Sequence, residues 1–409
     1  MTATAASPKP AQAALLRQDA AVIGLVGLAH ASSHFSHLLL PLMFPVFMKV
    51  FSLTYSELGL LMSIFFVVSG IGQALAGFLV DRLGARPVLF CALTLLAAGC
   101  LWAARAQGYT DLMVVAVFLG LGNCSFHPVD FTILNQRVSV PRLGYAFSAH
   151  GLTGNLGWAV APVFMVGLSE WWDWRVAYQC AALLFLSILA LALWQRDALS
   201  TQVHRAAHGT APQASALAFM KVPVVWWCFA FFMLSTMTLA IVQTFGVSIL
   251  QKMHDVSFAA ANMTLTAYML CAAAGMFVGG FVAARWPVQS DRVVAVCMTA
   301  GAGLFALCGT GLLNGTGTMV ALAVTGLAIG VGGPSRDMMI KKATPPGATG
   351  RVYGMVYSGL DVGFALSPVM FGGFMDRGWY GATLVGGALV LLFSVWAALG
   401  IGKRTVTHR

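Results

Sequence analysis

At residues 120–128 the chain reads GLGNCSFHP, and 206 positions later, at residues 326–334, it reads GLAIGVGGP. The correspondence continues to residue 167 and preserves glycine and proline above all. The paired positions are Gly120 with Gly326, Pro128 with Pro334, Gly144 with Gly350, Gly157 with Gly363, Pro162 with Pro368 and Gly167 with Gly373. A repeat of about 200 residues is too long for a stack of short soluble repeats, and it indicates two related halves.

The composition indicates a membrane protein. Of the 409 residues, 59% are hydrophobic and 9% are charged, whereas soluble domains carry about 25% charged residues. An apolar run of about 20 residues can cross the hydrocarbon core of a bilayer. We predict an all-α membrane protein with twelve such spans, six in each half, near residues 20–48, 56–80, 87–105, 111–135, 143–168, 175–195, 222–250, 258–284, 292–313, 316–340, 351–375 and 380–402.

The basic residues give an independent test of this count. With the N-terminus placed inside, eighteen of the 23 basic residues fall in cytoplasmic segments and five fall outside, as the positive-inside rule requires. The sequence therefore predicts a multi-pass protein of the inner or plasma membrane with both termini in the cytoplasm. The formal charge of +10 reflects topology, and because the charges are spread over short loops, no nucleic-acid partner is expected.

The domain boundaries follow from the polar intervals. The apolar run after residue 19 is too long for the core of a signal peptide, so we predict a disordered cytoplasmic tail ahead of a retained first span. The one long polar interval is the natural linker between the halves. The predicted organisation is a tail at 1–19, a first half at 20–195, a cytoplasmic linker at 196–221, a second half at 222–402 and a cytoplasmic tail at 403–409.

The loop after the second span carries the first recognisable motif. Residues 77–86 read GFLVDRLGAR, and here the chain resembles the major facilitator superfamily, a group of secondary transporters. Physically, Gly77 permits close helix approach, Gly84 turns the chain, and Asp81 can pair with basic groups or cap a helix when the inner side is closed. The resemblance assigns gating to Gly77, Asp81, Arg82, Gly84 and Arg86. The matching loop of the second half has Ala284 in place of the aspartate, so the predicted switch is asymmetric.

The fourth and fifth spans narrow the resemblance. The stretch GLGNCSFHP at 120–128, followed by GNLG at 154–157 and an Ala-Pro pair at 161–162, is similar to fosmidomycin-resistance-like members of the superfamily. That group usually places an acid directly after His-Pro, whereas this chain has Val129 there and Asp130 one residue later, about 100° further around the helix. Ala116 stands where many drug/proton antiporters carry an arginine on helix four. The resemblance therefore gives less support to proton-coupled drug export.

Ionisable residues within the spans are candidate working residues, because burying a charge in a membrane is expensive. Asp361 lies deepest, and its repeat mate is Asn155. Asp130 and Arg336 are also repeat mates, so pseudo-symmetry would place them on opposite sides of a central cavity, as an inner gate or as a site for an organic ion. Two structural alternatives remain. Arg336 can lie at the water-exposed end of its span, and Asp361 can pair with a backbone group or a hydroxyl.

Five histidines belong to the first half. His30, His34 and His37 share one face of the first span because they fall at i, i+4 and i+7, and His127 and His150 lie on the fourth and fifth spans. They could move protons, contact substrate, coordinate a metal or pack helices. We predict no metal site, because the first span supplies only adjacent pairs without a nearby cysteine or carboxylate. No cofactor is expected either, since the eight cysteines show no metal-like or disulfide-like spacing.

Prolines mark predicted irregularities in the spans. Pro41 and Pro45 should bend the first span beyond its histidine face. Helix breaks are expected at the four prolines of the fourth, fifth, tenth and eleventh spans, namely Pro128, Pro162, Pro334 and Pro368.

Together these observations predict a monomeric secondary transporter that moves a small organic solute through the lipid bilayer by alternating access. Proton coupling is expected, with Asp361 and the histidines as proton carriers. Efflux of an anionic or amphipathic compound and uptake of an organic acid both fit. The alternatives are an uncoupled facilitator or channel-like permease, or a membrane enzyme. An enzyme is disfavoured because no nucleophile and base are recognisable within the spans.

Overall fold

A computed structural model describes residues 10–202, 222–286, 288–343 and 349–406. These ranges contain two short 3₁₀ turns, at Pro41–Met43 and Val140–Arg142, and the following α-helices: α1 (Pro10–Leu38), α2 (Phe44–Phe51), α3 (Tyr55–Leu83), α4 (Ala85–Ala103), α5 (Tyr109–Asn123), α6 (Phe126–Arg137), α7 (Leu143–Trp171), α8 (Trp174–Trp194), α9 (Pro223–His254), α10 (Phe258–Arg285), α11 (Ser290–Gly309), α12 (Gly315–Ala343), α13 (Thr349–Asp376) and α14 (Tyr380–Val406).

These helices form twelve segments that are long and apolar enough to cross a membrane, which confirms the predicted number and the all-α fold class. The first span consists of α1 and α2, and the fourth consists of α5 and α6. Each of the other spans is a single helix. The predicted linker beyond residue 202 lies outside the described residues.

The outermost helices run further than predicted. α1 begins at Pro10 and α14 ends at Val406, so parts of both expected tails are helical. Residues 11–18 are rich in alanine, leucine and glutamine, which favour helix. Asp19 then anchors α1: its carboxylate accepts hydrogen bonds from the Ser139 backbone at 3.1 Å and pairs with Arg142 at 2.6 Å.

Two spans are interrupted beside prolines. The first span is interrupted between Leu38 and Phe44, around Pro41, where the sequence predicted a bend. The fourth span breaks at Cys124 and Ser125. Pro128 has no N–H to donate to the carbonyl of Cys124, four residues earlier, which accounts for the break at this point.

The other three prolines require a correction. Pro162, Pro334 and Pro368 lie inside the continuous helices α7, α12 and α13, so the expected helix breaks are absent there. Neighbouring hydroxyls contact two of these helices one turn before the proline. The Thr266 hydroxyl donates to the Ala159 carbonyl at 3.1 Å, and the Ser63 hydroxyl donates to the Ala365 carbonyl at 2.5 Å. Such bonds help proline-containing membrane helices remain continuous.

The repeated glycines serve the same packing role in both halves. A Cβ atom on Gly120 would lie 2.6 Å from the carbonyl oxygen of Phe65, and one on Gly326 would lie 2.3 Å from that of Tyr268. The fourth span therefore packs directly on the backbone of the second, and the tenth on that of the eighth. Gly157 and Gly363 do the same against the first and seventh spans, at 2.1 Å from Ala31 and 2.4 Å from Met233. Only glycine permits these approaches.

The two halves contact each other along α3 and α13. We call the end where α1 begins and α14 ends the inner end, and the opposite end the outer end. Along one face of α3, a Cβ atom on Gly59 would lie 2.5 Å from the Pro368 carbonyl oxygen and one on Gly70 would lie 3.2 Å from Asp361. A Cβ atom on Gly77 would meet nothing within 4 Å. Among the described residues, this close contact between α3 and α13 includes Gly59 and Gly70 and does not extend to Gly77.

A carboxylate joins the two halves at the outer end. Asp376, in the last turn of α13, accepts hydrogen bonds from the backbone N–H groups of Tyr55 at 2.6 Å and Ser56 at 3.1 Å, and from the Ser56 hydroxyl. These donors form the first turn of α3, where backbone N–H groups lack partners within the helix. The second half therefore supplies a cap to a helix of the first half.

Candidate functional site

The five histidines of the first half form one cluster. The rings of His30 and His150 stack at 3.5 Å between centroids, and His30 lies 4.5 Å from His34 and 5.3 Å from His127. His37 follows at 5.2 Å from His34. The shared face of α1 and the interruption ahead of α6 bring these side chains together from three spans. We call these five residues the histidine cluster.

Asp130 lies against the histidine cluster and is fully buried. Its Oδ2 atom lies 3.1 Å from Nδ1 of His30 and 3.1 Å from Nε2 of His150. Its Oδ1 atom is buried without a hydrogen-bond partner, and so is Nδ1 of His34. Asp130 therefore faces the interior of the first half.

No ion pair joins Asp130 to Arg336 in this conformation, contrary to the inner gate predicted from their pseudo-symmetry. Arg336 is bonded to its neighbour Asp337 at 3.0 Å, and its guanidinium lies 5.0 Å from the centre of the Phe232 ring. Pseudo-symmetry relates positions on helices, but each side chain takes the nearest partner within its own half.

A hydrogen-bond network anchors the outer side of the cluster, and most of its members were not predicted. The side-chain oxygen Oδ1 of Asn123 accepts a hydrogen bond from the Ser33 hydroxyl at 2.6 Å and lies 3.1 Å from Nε2 of His37. Its amide nitrogen donates to the Ser69 hydroxyl at 2.9 Å. Trp158 donates from its indole N–H to Nδ1 of His37 at 3.3 Å. Asn123 was within reach of sequence reasoning, because an amide in an apolar span needs partners.

This network defines the chemistry of His37. Because the indole of Trp158 can only donate, Nδ1 of His37 must accept, and Nε2 then carries the proton that is donated to Asn123. A second proton on the ring would remove the acceptor that Trp158 uses. The arrangement therefore favours a neutral, structural His37 over the proton carrier that was expected.

Asp361 and its repeat mate Asn155 both lie where the halves meet. Asp361 accepts a hydrogen bond from the Gln73 amide at 3.3 Å, and Asn155 places its amide 3.5 Å from the sulfur of Met276. Gln73 and Met276 occupy matching places on the second and eighth spans, which correspond with an offset of 203 residues, as Gly77 and Gly280 do. The interface thus contains two pseudo-symmetric contacts, of which one holds a carboxylate.

The structure describes only part of the loop motif at 77–86, to which the resemblance assigned gating. Gly84 ends α3 with φ 83°, a conformation that favours glycine,. Arg86 donates to the Arg196 carbonyl at 3.2 Å, and Arg82 is exposed. The Asp81 side chain lies outside the described part of the chain. Gly77 makes no close approach here, so its predicted packing role stays a prediction for another conformation.

The geometry also revises the reasoning about metals. His30, His127 and His150 each offer a ring nitrogen, and these nitrogens lie within 4.8 Å of one another. Ligand spacing within one helix did not indicate this group, because the fold brings the three histidines together from α1, α6 and α7.

A bundle of twelve apolar helices in two pseudo-symmetric halves, with polar groups at the interface of the halves, is typical of a membrane transporter and not of an enzyme,. The sequence profile of the Major Facilitator Superfamily matches residues 26–286 and 235–408. The chain belongs to this family, as its loop motif implied.

Individual relatives agree with this assignment. The chain is 25% identical to the fosmidomycin resistance protein of Escherichia coli over 280 residues, 64% of this chain and 65% of that protein. It is 29% identical to a probable 4-methylmuconolactone transporter of Cupriavidus pinatubonensis over 175 residues, 42% of this chain and 40% of the relative. The matched regions span about two fifths to two thirds of these relatives.

Solved structures show the same fold. A bacterial homologue of the human lysosomal transporter Spinster, in an inward-facing and unoccupied conformation, superposes with a TM-score of 0.78 at 15% identity, covering 98% of this chain and 99% of that one. The nucleoside transporter NupG superposes with a TM-score of 0.76 at 16% identity, covering 93% and 99%.

Proposed function

We propose that this transporter couples the movement of a small organic anion to protons, and that Asp361 is the proton-carrying residue. The observation that carries the proposal is the hydrogen bond between Asp361 of the second half and Gln73 of the first. A group that binds a proton and bridges the halves can link protonation to their relative movement.

The surroundings of Asp361 support this role. Among the described residues no cation lies within ion-pair distance of its carboxylate. An ionised Asp361 would therefore be an uncompensated charge within the membrane, which is expensive, whereas a protonated one would not. Asn155, at the pseudo-symmetric place, is neutral and cannot make this distinction.

The conformation and charge placement fit a cytoplasmic opening. We propose that the inner end faces the cytoplasm of a cell with the protein in its inner or plasma membrane, because the predicted inner loops hold most of the basic residues. Contacts at Gly59 and none at Gly77 then correspond to an inward-facing state of a monomeric transporter.

An anionic solute is favoured by Arg336. This side chain is half-buried on α12, and its partner Asp337 is 45% exposed. A solute carboxylate or other anion could displace so exposed a partner and form a charge-assisted hydrogen bond with the guanidinium. Fosmidomycin and 4-methylmuconolactone, named by the two relatives, are the first compounds to assay in both directions.

The test uses purified protein in liposomes with an imposed pH gradient. We expect Asp361→Asn to reduce gradient-driven transport about tenfold or more, because a neutral amide cannot release a proton. Exchange of labelled for unlabelled solute at equal pH should survive, since it needs no net proton movement. Asp361→Glu should restore part of the coupling.

The matched control is Asp255→Asn, which alters an exposed acid at the end of α9, away from the interface. It should transport like the unaltered protein. Gradient-driven transport that persists undiminished in Asp361→Asn would exclude Asp361 as the proton carrier.

A further inference from the structure

We infer that the first half contains a binding site for a divalent transition-metal ion, with His30, His127 and His150 as ligands. Their ring nitrogens lie within 4.8 Å of one another. Metal–imidazole bonds are about 2.0–2.1 Å long, so two ligands of one ion lie at most about 4 Å apart. Binding one ion requires side-chain rotations that close the remaining gap and turn the stacked rings of His30 and His150 toward it.

Asp130 supplies the orientation that such a site needs. Its Oδ2 atom contacts one ring nitrogen of His30 and one of His150, each at 3.1 Å. The contact with His150 is a hydrogen bond. If Nε2 of His150 carries the proton toward the carboxylate, Nδ1 of the same ring is left with a lone pair for the ion. A carboxylate that holds metal-binding histidines in this way is a recurrent feature of metal sites.

Packing alone leaves polar atoms without partners in this region. Oδ1 of Asp130 and Nδ1 of His34 are buried and make no hydrogen bond. A buried polar atom without a partner costs about 1–3 kcal/mol, and an ion is one recognised explanation for such groups. A divalent cation would also compensate the negative charge of the fully buried Asp130.

The ligand set selects the class of metal. Three imidazoles with a nearby carboxylate suit Zn²⁺, Co²⁺ or Ni²⁺ and do not suit Mg²⁺ or Ca²⁺, which prefer oxygen ligands. His127 is half-buried and stacks on Phe131, which is 42% exposed. One aromatic side chain therefore separates this edge of the site from the surface. Because all three ligands belong to the first half, binding does not depend on Asp361.

The test measures metal binding by the full-length protein in detergent, after His204, His208 and His408, which lie outside the described residues, are replaced by glutamine. We expect one Co²⁺ per protein, with the intense visible absorption of a low-symmetry site, and displacement by Zn²⁺. His127→Gln should weaken binding at least about tenfold, the equivalent of about 1.4 kcal/mol. The control His254→Gln alters a histidine of α9 that contacts Thr318, and it should leave binding unchanged.

X-ray absorption of the Zn²⁺-loaded parent protein adds a measurement that needs no variant of the cluster and therefore holds even where His127→Gln does not fold. We expect three imidazole ligands. Absence of stoichiometric binding, binding unaffected in a folded His127→Gln protein, or a shell with fewer than two imidazoles would overturn the inference.

Discussion

At the scale of single residues, Asn123 joins two spans directly and a third through His37. Its amide group contacts Ser33 and His37 of the first span and Ser69 of the second. His37 in turn accepts from Trp158 of the fifth span. The break that follows Asn123 ends α5, so the side chain sits where the fourth span changes direction.

Replacing Asn123 should destabilise the first half. Asn123→Ala removes three buried hydrogen bonds, and since such bonds in membrane proteins contribute about 0.6 kcal/mol each, we expect a loss of about 2 kcal/mol. Thermal unfolding in detergent would measure it. Asn135→Ala is the control, because Asn135 is exposed and bonds only to the Phe131 carbonyl of its own helix. Equal melting temperatures for the two variants would contradict the role given to Asn123.

At the scale of helices, two glycines of α7 differ in whether they contact a neighbouring helix. Gly157 and Gly151 lie on the same helix, but a Cβ atom would lie 2.1 Å from the Ala31 carbonyl oxygen at Gly157 and would meet nothing within 4 Å at Gly151. The first contact joins the fifth span to the first, which carries three of the clustered histidines.

This difference predicts opposite outcomes for the same substitution. Gly157→Ala must push α7 away from α1, and overpacking of this kind costs about 1–3 kcal/mol. We expect a lower melting temperature and reduced transport. Gly151→Ala should be neutral or slightly stabilising, because alanine favours helix more than glycine does. Fluorescence-detected gel filtration after heating would compare them, and a destabilised Gly151→Ala would argue against the packing explanation.

At the scale of the whole molecule, the halves meet through both pseudo-symmetric and asymmetric contacts. Ser63 with Ala365 and Thr266 with Ala159 form a matching pair of hydrogen bonds across the interface. One asymmetric contact is the cap that Asp376 supplies to α3. It lies at the outer end, so it must separate when that end opens.

Removing this cap should favour the state that is open at the outer end. Asp376→Ala eliminates three hydrogen bonds to an exposed carboxylate. Because water competes for this carboxylate, the three bonds together should contribute about 1 kcal/mol, and their loss should change the ratio of the two states about fivefold. Spin labels at Gln107→Cys and Leu312→Cys, two exposed outer positions on different halves, would report the longer distance in a protein whose native cysteines are replaced.

The control for this prediction is Asp173→Ala. Asp173 is also exposed and also caps a helix at the outer end, but it accepts from Arg175 within the first half. Its removal should leave the distance distribution unchanged. An identical distribution in Asp376→Ala would show that the cap does not hold the outer end closed.

The sequence predicted the scaffold because the scaffold depends on local properties. Apolar length gave twelve spans, and the repeated Gly120 and Gly326 marked positions that the fold uses for backbone contact. The shared face of His30, His34 and His37 was also a matter of helical period. Each of these features can be inferred from the sequence of a single helix.

The parts that were missed depend on how helices meet. The partners of Asp130 are two histidines from other helices, and no spacing within one span indicates them. The same holds for the convergence of His127 with His30 and His150. Pro162 and Pro368 were expected to break their helices because the hydroxyl groups of neighbouring spans cannot be assigned from sequence.

The first turn of α3 has one further consequence. Thr54 already caps this helix: its hydroxyl accepts from the Glu57 backbone at 3.2 Å, and the Glu57 carboxylate accepts from the Thr54 backbone at 2.8 Å. When Asp376 moves away, the Thr54 cap therefore keeps the first turn of the helix intact. Only the backbone N–H groups of Tyr55 and Ser56 lose their partner and donate to water at the membrane surface instead. This contact between the halves can therefore be released and remade without fraying the helix that it caps.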